Sequence, residues 1–362
     1  MKASEHGTSS DSRRKILVFY SAMDGIGGYP TDFRILTVAA GKLDDRVIAV
    51  SSLVELFRNA RSQPLLVHVV GFNDPRALIA GLLMRVLRVP YVVSTLGQET
   101  PFLLRRGRRG IKYVFSAIYD RFVMAGALGR HVFSSWELRQ GLRTPRHVLC
   151  LGLPIHEGMG FPLSDDRDGD APEGQPVEFQ FVGRKDIYQK GLDLLVDALA
   201  TLEPRKDGPP LARISGASVD SDEIELRRRV SRAGLSSCVE ITGPLARLER
   251  SRLRFFVYPS RFDGPPRPVR AALAAGIPVI VTDESGMSDD VITAGAGFVC
   301  GADKNSLARA LASSRSLTEE AYQKMTSGAE QLAQSLEPSA LAPRLVSWYL
   351  SVARSSSDSL ER

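Results

Sequence analysis

Cysteine is scarce in this 362-residue chain, and the three present, Cys150, Cys238 and Cys300, stand far apart with no metal-ligand spacing. That excludes a disulfide-stapled scaffold and a cysteine-built metal site, and it fits a reduced, cytoplasmic compartment. Long apolar runs are missing too: no stretch is long enough to span a bilayer. Residues 1–14 are polar and rich in Ser, without the apolar centre of a signal peptide, and read as a disordered tail. No recognised nucleic-acid module is present, which argues against a nucleic-acid partner. The formal net charge of +6 then leaves diphosphates, acidic glycans and anionic lipid as anionic partners.

What is present is ordinary globular composition, 43% hydrophobic and 24% charged. Continuously apolar, β-rich runs alternate with helical patterns. Lys15–Tyr20, Leu65–Val70, Tyr91–Ser94, His131–Ser134 and His147–Leu151 read as strands. A helix starts at Pro30, Ser52 opens another as a capping box with Glu55, and Asp74-Pro75 caps a third. Between Gly158 and Pro176 apolar periodicity gives way to Asp, Gly and Pro, the composition of a linker. The alternation then restarts at Val177–Val182 and continues through a helix over Gly191–Leu202 to strands ending at Cys300. Helices between these strands centre near Leu248, Ala272 and Val291, and the chain is helical from Asn305. Such alternation predicts two parallel sheets, each covered on both faces. His68, inside an apolar strand, reads as a satisfied core histidine.

Two segments carry chemistry. In Phe181-Val182-Gly183-Arg184-Lys185, continuing to Lys190-Gly191, a strand ends in a Gly turn and cations flank a loop that opens a helix. That arrangement suits a diphosphate. In Tyr258-Pro259-Ser260-Arg261-Phe262-Asp263-Gly264, a strand ends in an irregular loop that places Asp263 at its carboxyl end. A stiff loop, Gly264-Pro265-Pro266-Arg267-Pro268, and an Ala-rich helix follow, then Gly276-Ile277-Pro278-Val279. Arg267 and Arg270 read as solvent-exposed cations or as contacts to an acidic ligand. The Asp-x-Asp pairs at Asp166–Asp168, Asp168–Asp170 and Asp220–Asp222 read as solvated linker and helix-start residues.

Together these segments resemble the donor-binding half of the retaining GT-B glycosyltransferases of family 4, the group 1 glycosyltransferases. The matches include Gly183, Arg184, Lys190, Gly191, Gly216, Gly243, Pro259, Ser260, Gly276, Pro278 and Val279, and similarity covers roughly residues 15 to 350. The resemblance implies an α/β chain of GT-B fold, two Rossmann-like doubly wound parallel-sheet domains facing a cleft. The expected divisions are a tail at 1–14, an acceptor-binding domain at 15–157, a linker at 158–176 and a nucleotide-sugar-binding domain at 177–337. A C-terminal helix and tail at 338–362 would pack back on the first domain.

The implied activity is transfer of a sugar from a nucleotide-diphosphate donor to a hydroxyl of a glycan, lipid-linked saccharide or small metabolite, with retention. No cofactor and no metal is implied. Arg184 and Lys190 would neutralise the diphosphate. Gly27 and Gly28 would offer backbone N–H groups to it. Gly183 and Gly216 would line the donor, and the turn Ser285-Gly286-Met287 would contact its sugar. Two positions depart from the pattern. The first Glu of the family's Glu-x7-Glu pair is Asp263, and the second, which holds the ribose, falls on Ala271. The family's first-domain histidine falls on Leu96, leaving Glu99 and Asp74 as the nearest carboxylates by sequence, either to orient an acceptor hydroxyl or to serve as a loop charge and a helix cap.

The cluster Arg105, Arg106, Arg108, Arg109 and Lys112 leads into an aromatic amphipathic segment, a pattern for peripheral docking on the inner face of an anionic membrane or for an acidic glycan. Two other functions fit the sequence less well. A catalytically weak or inactive GT-B subunit that acts as a binding partner would explain Ala271 and Leu96. A nicotinamide oxidoreductase would need Gly-x-Gly-x-x-Gly after the first strand, where Gly25-Ile26-Gly27-Gly28-Tyr29-Pro30 stands instead.

Overall fold

The computed structural model describes residues 14–21, 29–72, 74–97, 109–139, 145–156, 177–202, 211–218, 220–244 and 253–360. They form two compact units, one of residues 1–154 with 337–362 and one of residues 155–336. Each contains a six-stranded sheet whose strands all pair in parallel. The expected linker and the helix near Leu248 lie outside the described residues.

The first sheet has the order β2-β1-β3-β4-β5-β6. Its strands are β1 (Ile16–Tyr20), β2 (Val47–Val50), β3 (Leu66–Val70), β4 (Tyr91–Ser94), β5 (Gly129–Val132) and β6 (His147–Cys150). Helices α1 (Tyr29–Leu43), α2 (Leu53–Ala60), α3 (Pro75–Val86), α4 (Arg109–Phe122) and α5 (Ser135–Arg139) connect them. Ser52 and Asp74 cap α2 and α3, each accepting from the second backbone N–H of its helix.

Strand alternation sorts side chains between the two faces of this sheet. Leu17, Phe19, Val67, Val69, Tyr91 and Val93 share one buried cluster with Leu56 of α2, Ala80 of α3 and Tyr119 of α4. On the other face, His68 and His131 meet Phe33 of α1 at ring distances of 5.4 and 4.9 Å. His68 also meets Trp348 and Tyr349 of the last helix.

His68 is a fully buried core histidine bonded at both ring nitrogens, to Tyr349 Oη at 2.7 Å and Ser94 Oγ at 2.8 Å. The strand expected at 131–134 instead runs over Gly129–Val132. Arg130, wholly buried, interrupts the apolar run that would have marked its start.

The second sheet has the order β12-β11-β10-β7-β8-β9. The strands are β7 (Val177–Val182), β8 (Ala212–Ser215), β9 (Val239–Thr242), β10 (Leu253–Tyr258), β11 (Val279–Thr282) and β12 (Gly297–Cys300). Its helices are α6 (Leu192–Leu199), α7 (Asp220–Arg232), α8 (Arg267–Ala274), α9 (Ser288–Ala294), α10 (Lys304–Arg315) and α11 (Glu319–Ser335). The last helix, α12 (Pro338–Leu360), belongs to the first unit and packs against α1.

Two local expectations need correction. Gly191 is not helical; it is the left-handed cap before α6, with φ 64°. Arg267 and Pro268 do not extend a loop, because they form the first turn of α8, where Pro loses no intrahelical hydrogen bond.

Candidate active site

In the second unit the sequence motifs converge at the carboxyl ends of β7, β8, β10 and β11. β7 and β8 end in Gly183 and Gly216, whose backbones touch. Gly216 has φ 144°, and a Cβ there would lie 1.8 Å from the Gly183 carbonyl oxygen, so only glycine fits. The neighbouring strand end is tied in by Gly216 N–H donating to Gly243 O at 3.0 Å.

After Gly183 the chain presents its cations in different settings. Arg184 is exposed and donates to Gln189 Oε1 at 3.2 Å. Lys185 is turned inward, donating to Thr242 O at 3.0 Å and pairing with Glu223, whose carboxyl Lys185 and Arg227 hold below its usual range. Lys190 is also drawn in, and its Nζ lies 2.5 Å from Asp263 Oδ2.

Asp263 is held on both sides. Tyr258 donates its hydroxyl to the same Oδ2 at 2.9 Å. Burial, and then the Asp263 charge, push the Tyr258 phenol well above its ordinary value, so it stays a donor. Its ring stacks on Phe181 at 5.4 Å and carries the Lys190 ammonium 5.2 Å from its centroid.

The Asp263 backbone forms an isolated parallel bridge with Ser285: its N–H donates to Glu284 O at 3.2 Å and its O accepts from Gly286 N–H at 2.9 Å. Ser285-Gly286-Met287 is thus pinned beside the acidic residue and leads into α9, with Met287 as its cap. Beneath, Thr282 Oγ1 donates to Ser260 O at 2.5 Å.

Arg184, Lys190, Asp263, Gly183, Gly216 and the Ser285 turn therefore share one end of one sheet. Ala271 lies on α8 and is 1% exposed. Arg270, expected either exposed or on an acidic ligand, is completely buried, because α8 turns that side chain toward the interior. Gly27, Gly28 and Glu99 lie outside the described residues.

In the first unit, Leu96 follows β4 in a left-handed conformation, φ 57°, and is buried. Glu137 of α5 fixes this turn, accepting from Gly97 N–H at 3.0 Å and, through its other oxygen, from Phe133 N–H at 2.8 Å. Burial pushes the Glu137 carboxyl up, against the pull of those hydrogen bonds and of Arg130.

Sequence reasoning missed Tyr258 and Glu137. Tyr258 was visible only as the last residue of a strand, and Glu137 as one polar residue in a short helix. Among the described residues, no three His, Cys, Asp or Glu side chains gather as a metal site, and no helix is long and apolar enough to cross a membrane.

Known proteins share both the sequence and the fold. Over 267 residues the chain is 33% identical to the lipopolysaccharide core biosynthesis mannosyltransferase LpsB of Rhizobium meliloti (strain 1021), an alignment covering 69% of each protein. The family model for glycosyl transferases group 1 matches residues 176–314, β7 to α10. The chain belongs to the group 1 glycosyltransferases.

Solved structures extend the likeness at the level of fold. Anabaena HepE in complex with UDP matches with a TM-score of 0.67 at 16% identity, over 93% of this chain and 100% of that one. Sucrose-phosphate synthase of Thermosynechococcus elongatus matches with a TM-score of 0.65 at 19% identity, over 94% and 100%. The lipopolysaccharide outer core galactosyltransferase WaaB matches with a TM-score of 0.61 at 15% identity, over 93% and 99%. The fold of this group 1 glycosyltransferase is GT-B, two parallel six-stranded sheets with flanking helices.

Proposed function

We propose that this glycosyltransferase moves a sugar from a nucleoside diphosphate sugar to a hydroxyl of a saccharide or lipid-linked saccharide, retaining anomeric configuration and using no metal. The observation that carries the reading is the convergence of Arg184, Lys190, Asp263 and the Ser285-Gly286 turn at one sheet end. The acceptor oxygen bonds to the anomeric carbon as the bond from that carbon to the diphosphate oxygen breaks. The acceptor proton passes to the departing phosphate. Arg184 and Lys190 stabilise the charge that develops there, the work a divalent cation performs in other transferases. Asp263, one methylene shorter than the family glutamate, acts through Lys190, and the Ser285 turn faces the donor sugar. Glu99 would orient the acceptor, and Gly27 and Gly28 the phosphates.

The UDP in the HepE complex supports a nucleotide donor, and the LpsB name supports an acceptor in lipopolysaccharide core assembly. With such an acceptor the enzyme would work in the cytoplasm, peripheral to the inner face of the membrane, with Arg105, Arg106, Arg108, Arg109 and Lys112 toward anionic lipid. The test is donor turnover by the purified chain with UDP- and GDP-sugars, in chelator and in added magnesium. Equal rates are expected. A strict metal requirement overturns the metal-free reading, and no turnover of any donor overturns the transfer itself.

A further inference from the structure

The face of the first sheet covered by α2, α3 and α4 presents a second apolar surface, away from the core. Each helix buries one stripe and exposes another. Phe115 and Tyr119 of α4, and Val123 just beyond it, pack inward. Ile111, Val114, Ile118 and Phe122, spaced i, i+3, i+7 and i+11, are exposed, Ile111 by 66% and Val114 by 61%. On α3, Ala77, Ala80 and Met84 are buried, while Ile79, Leu82 and Val86 are exposed, Val86 by 79%. On α2, Leu56 and Ala60 are buried and Val54 and Phe57 exposed.

Ten of the seventeen large apolar side chains exposed among the described residues fall on these three helices. Single exposed apolar residues are ordinary, but such a concentration marks an interaction surface. The helices lie side by side. α2 packs on α3 and α3 on α4. Gly81 of α3 sits so close to Val123 that a Cβ would lie 2.4 Å from its Cγ1, and Arg85 donates to Phe122 O at 2.9 Å.

Cations interleave with these apolar residues. Arg58, Arg61, Arg76, Arg85, Arg88 and Arg121 are all exposed on or beside the three helices, against Glu55, Asp74 and Asp120. Arg61 and Arg121 lie 5.7 and 5.8 Å from the ring centroids of Phe57 and Phe122. Arginine is common at protein–protein interfaces too, so what decides the partner is the charge balance of the face, six arginines against three carboxylates. An exposed apolar surface with that excess of positive charge complements an anionic membrane surface, which attracts Lys and Arg beside side chains that enter the headgroup boundary.

We propose that the outer face of α2, α3 and α4 docks on an anionic lipid bilayer, its apolar side chains entering the boundary between headgroups and acyl chains while the arginines pair with lipid phosphates. This deepens the peripheral-membrane part of the reading above, which rests on the basic cluster from Arg105 to Lys112 alone. The surface extends two helices beyond that segment.

The experiment is co-sedimentation of the full chain with phosphatidylglycerol–phosphatidylcholine vesicles and with pure phosphatidylcholine. The chain should bind the anionic vesicles at low salt, bind phosphatidylcholine at least tenfold more weakly, and release as salt screens the charges. The α3 variant Ile79→Ser/Leu82→Ser/Val86→Ser and the α2 variant Arg58→Glu/Arg61→Glu should each weaken binding at least fivefold with UDP affinity unchanged.

A Val86→Trp variant reports without disturbing the core, since native Trp136 and Trp348 are buried. Its fluorescence should be quenched by brominated phosphatidylglycerol. If α2 and α3 variants bind like the wild type while charge reversal at Arg105, Arg106, Arg108 and Arg109 abolishes binding, this face is not the docking surface and the narrower reading stands. If the wild type ignores anionic vesicles, both fail. A wild-type dimer that the α3 variant dissolves, with no vesicle binding, makes the face a subunit interface and overturns the proposal.

Discussion

Lys190 and Asp263 are 73 residues apart in sequence, yet their side chains meet at 2.5 Å. They are 10% and 13% exposed, so the pair is largely withdrawn from water. Such a pair contributes little net stability, because desolvation offsets attraction, but it fixes geometry. The ammonium is held at the strand ends before any ligand arrives, whereas Arg184 faces solvent. A donor diphosphate would meet Arg184 as a solvated cation and share Lys190 with Asp263.

Replacing either cation should therefore weaken diphosphate binding, with different side effects. Lys190→Ala and Arg184→Ala should each lower UDP affinity about tenfold or more, the loss of one charge-assisted hydrogen bond of roughly 1.5–3 kcal/mol. Uridine affinity should hold. Lys190→Ala should also lower the melting temperature, since Asp263 is left half-paired, while Arg184→Ala should not. Titration calorimetry with UDP and uridine separates the cases. Equal losses for both ligands would remove these residues from the phosphate site.

Tyr258 orients the same carboxylate. Tyr258→Phe keeps the ring stack on Phe181 and removes only the 2.9 Å hydrogen bond to Asp263. The expected loss is about 1 kcal/mol, roughly fivefold, in kcat/KM for donor. It should appear mainly as a higher donor KM, because the bond orients a group that meets the ground state. Tyr258→Leu should lose more, including stability. A donor KM unchanged in Tyr258→Phe would make the bond purely structural.

Much of this architecture was legible in the sequence because parallel strands buried on both faces leave continuous apolar runs. Tyr91–Ser94 and Val177–Val182 have the bounds that composition predicts. Buried charge defeats the same logic: Arg130 conceals the start of β5, and Arg270, expected at the surface or on an acidic ligand, lies wholly inside. The site's side-chain pairings were not legible either. Lys190, Tyr258 and Asp263 meet through irregular loops at strand ends, where no helix or strand period relates positions. Motif order brought the residues to one place but did not reveal their mutual contacts.

Ala271 tests how far the family geometry extends. The resemblance expects a carboxylate there to hold the ribose hydroxyls, yet the position is 1% exposed and adjoins the buried Arg270. Ala271→Glu should lower the melting temperature of the free protein, since a desolvated carboxylate is costly. Bound nucleotide should supply its hydrogen-bond partners, so UDP should bind about tenfold more tightly, roughly 1.4 kcal/mol, and raise the melting temperature more than in the wild type. Unchanged UDP affinity in a folded variant would place the ribose elsewhere.

The buried histidines of the first unit predict a specific acid sensitivity. His131 must donate from Nε2 to the Leu151 carbonyl at 3.0 Å, so its Nδ1 accepts from Ser94 Oγ at 2.7 Å. Ser94 in turn accepts from His68 Nε2–H, and His68 Nδ1 accepts from the Tyr349 hydroxyl. Each member has one donor role and one acceptor role only while both rings are neutral. Burial holds His131 down to about 4 and His68 well below its usual value, the second also through the charge of His131.

The unfolded chain binds these protons near pH 6.5 and the folded chain resists them, so the stabilising contribution is present above about 6.5 and shrinks as pH falls. For His131 the loss runs down to about pH 4 and amounts to ~3 kcal/mol when complete. Thermal melts from pH 8 to pH 4.5 should fall monotonically below 6.5. His131→Gln, less stable at pH 8, should show a shallower fall because it has no proton to gain. A wild-type profile no steeper than that of His131→Gln would mean that the relay tolerates a charged ring.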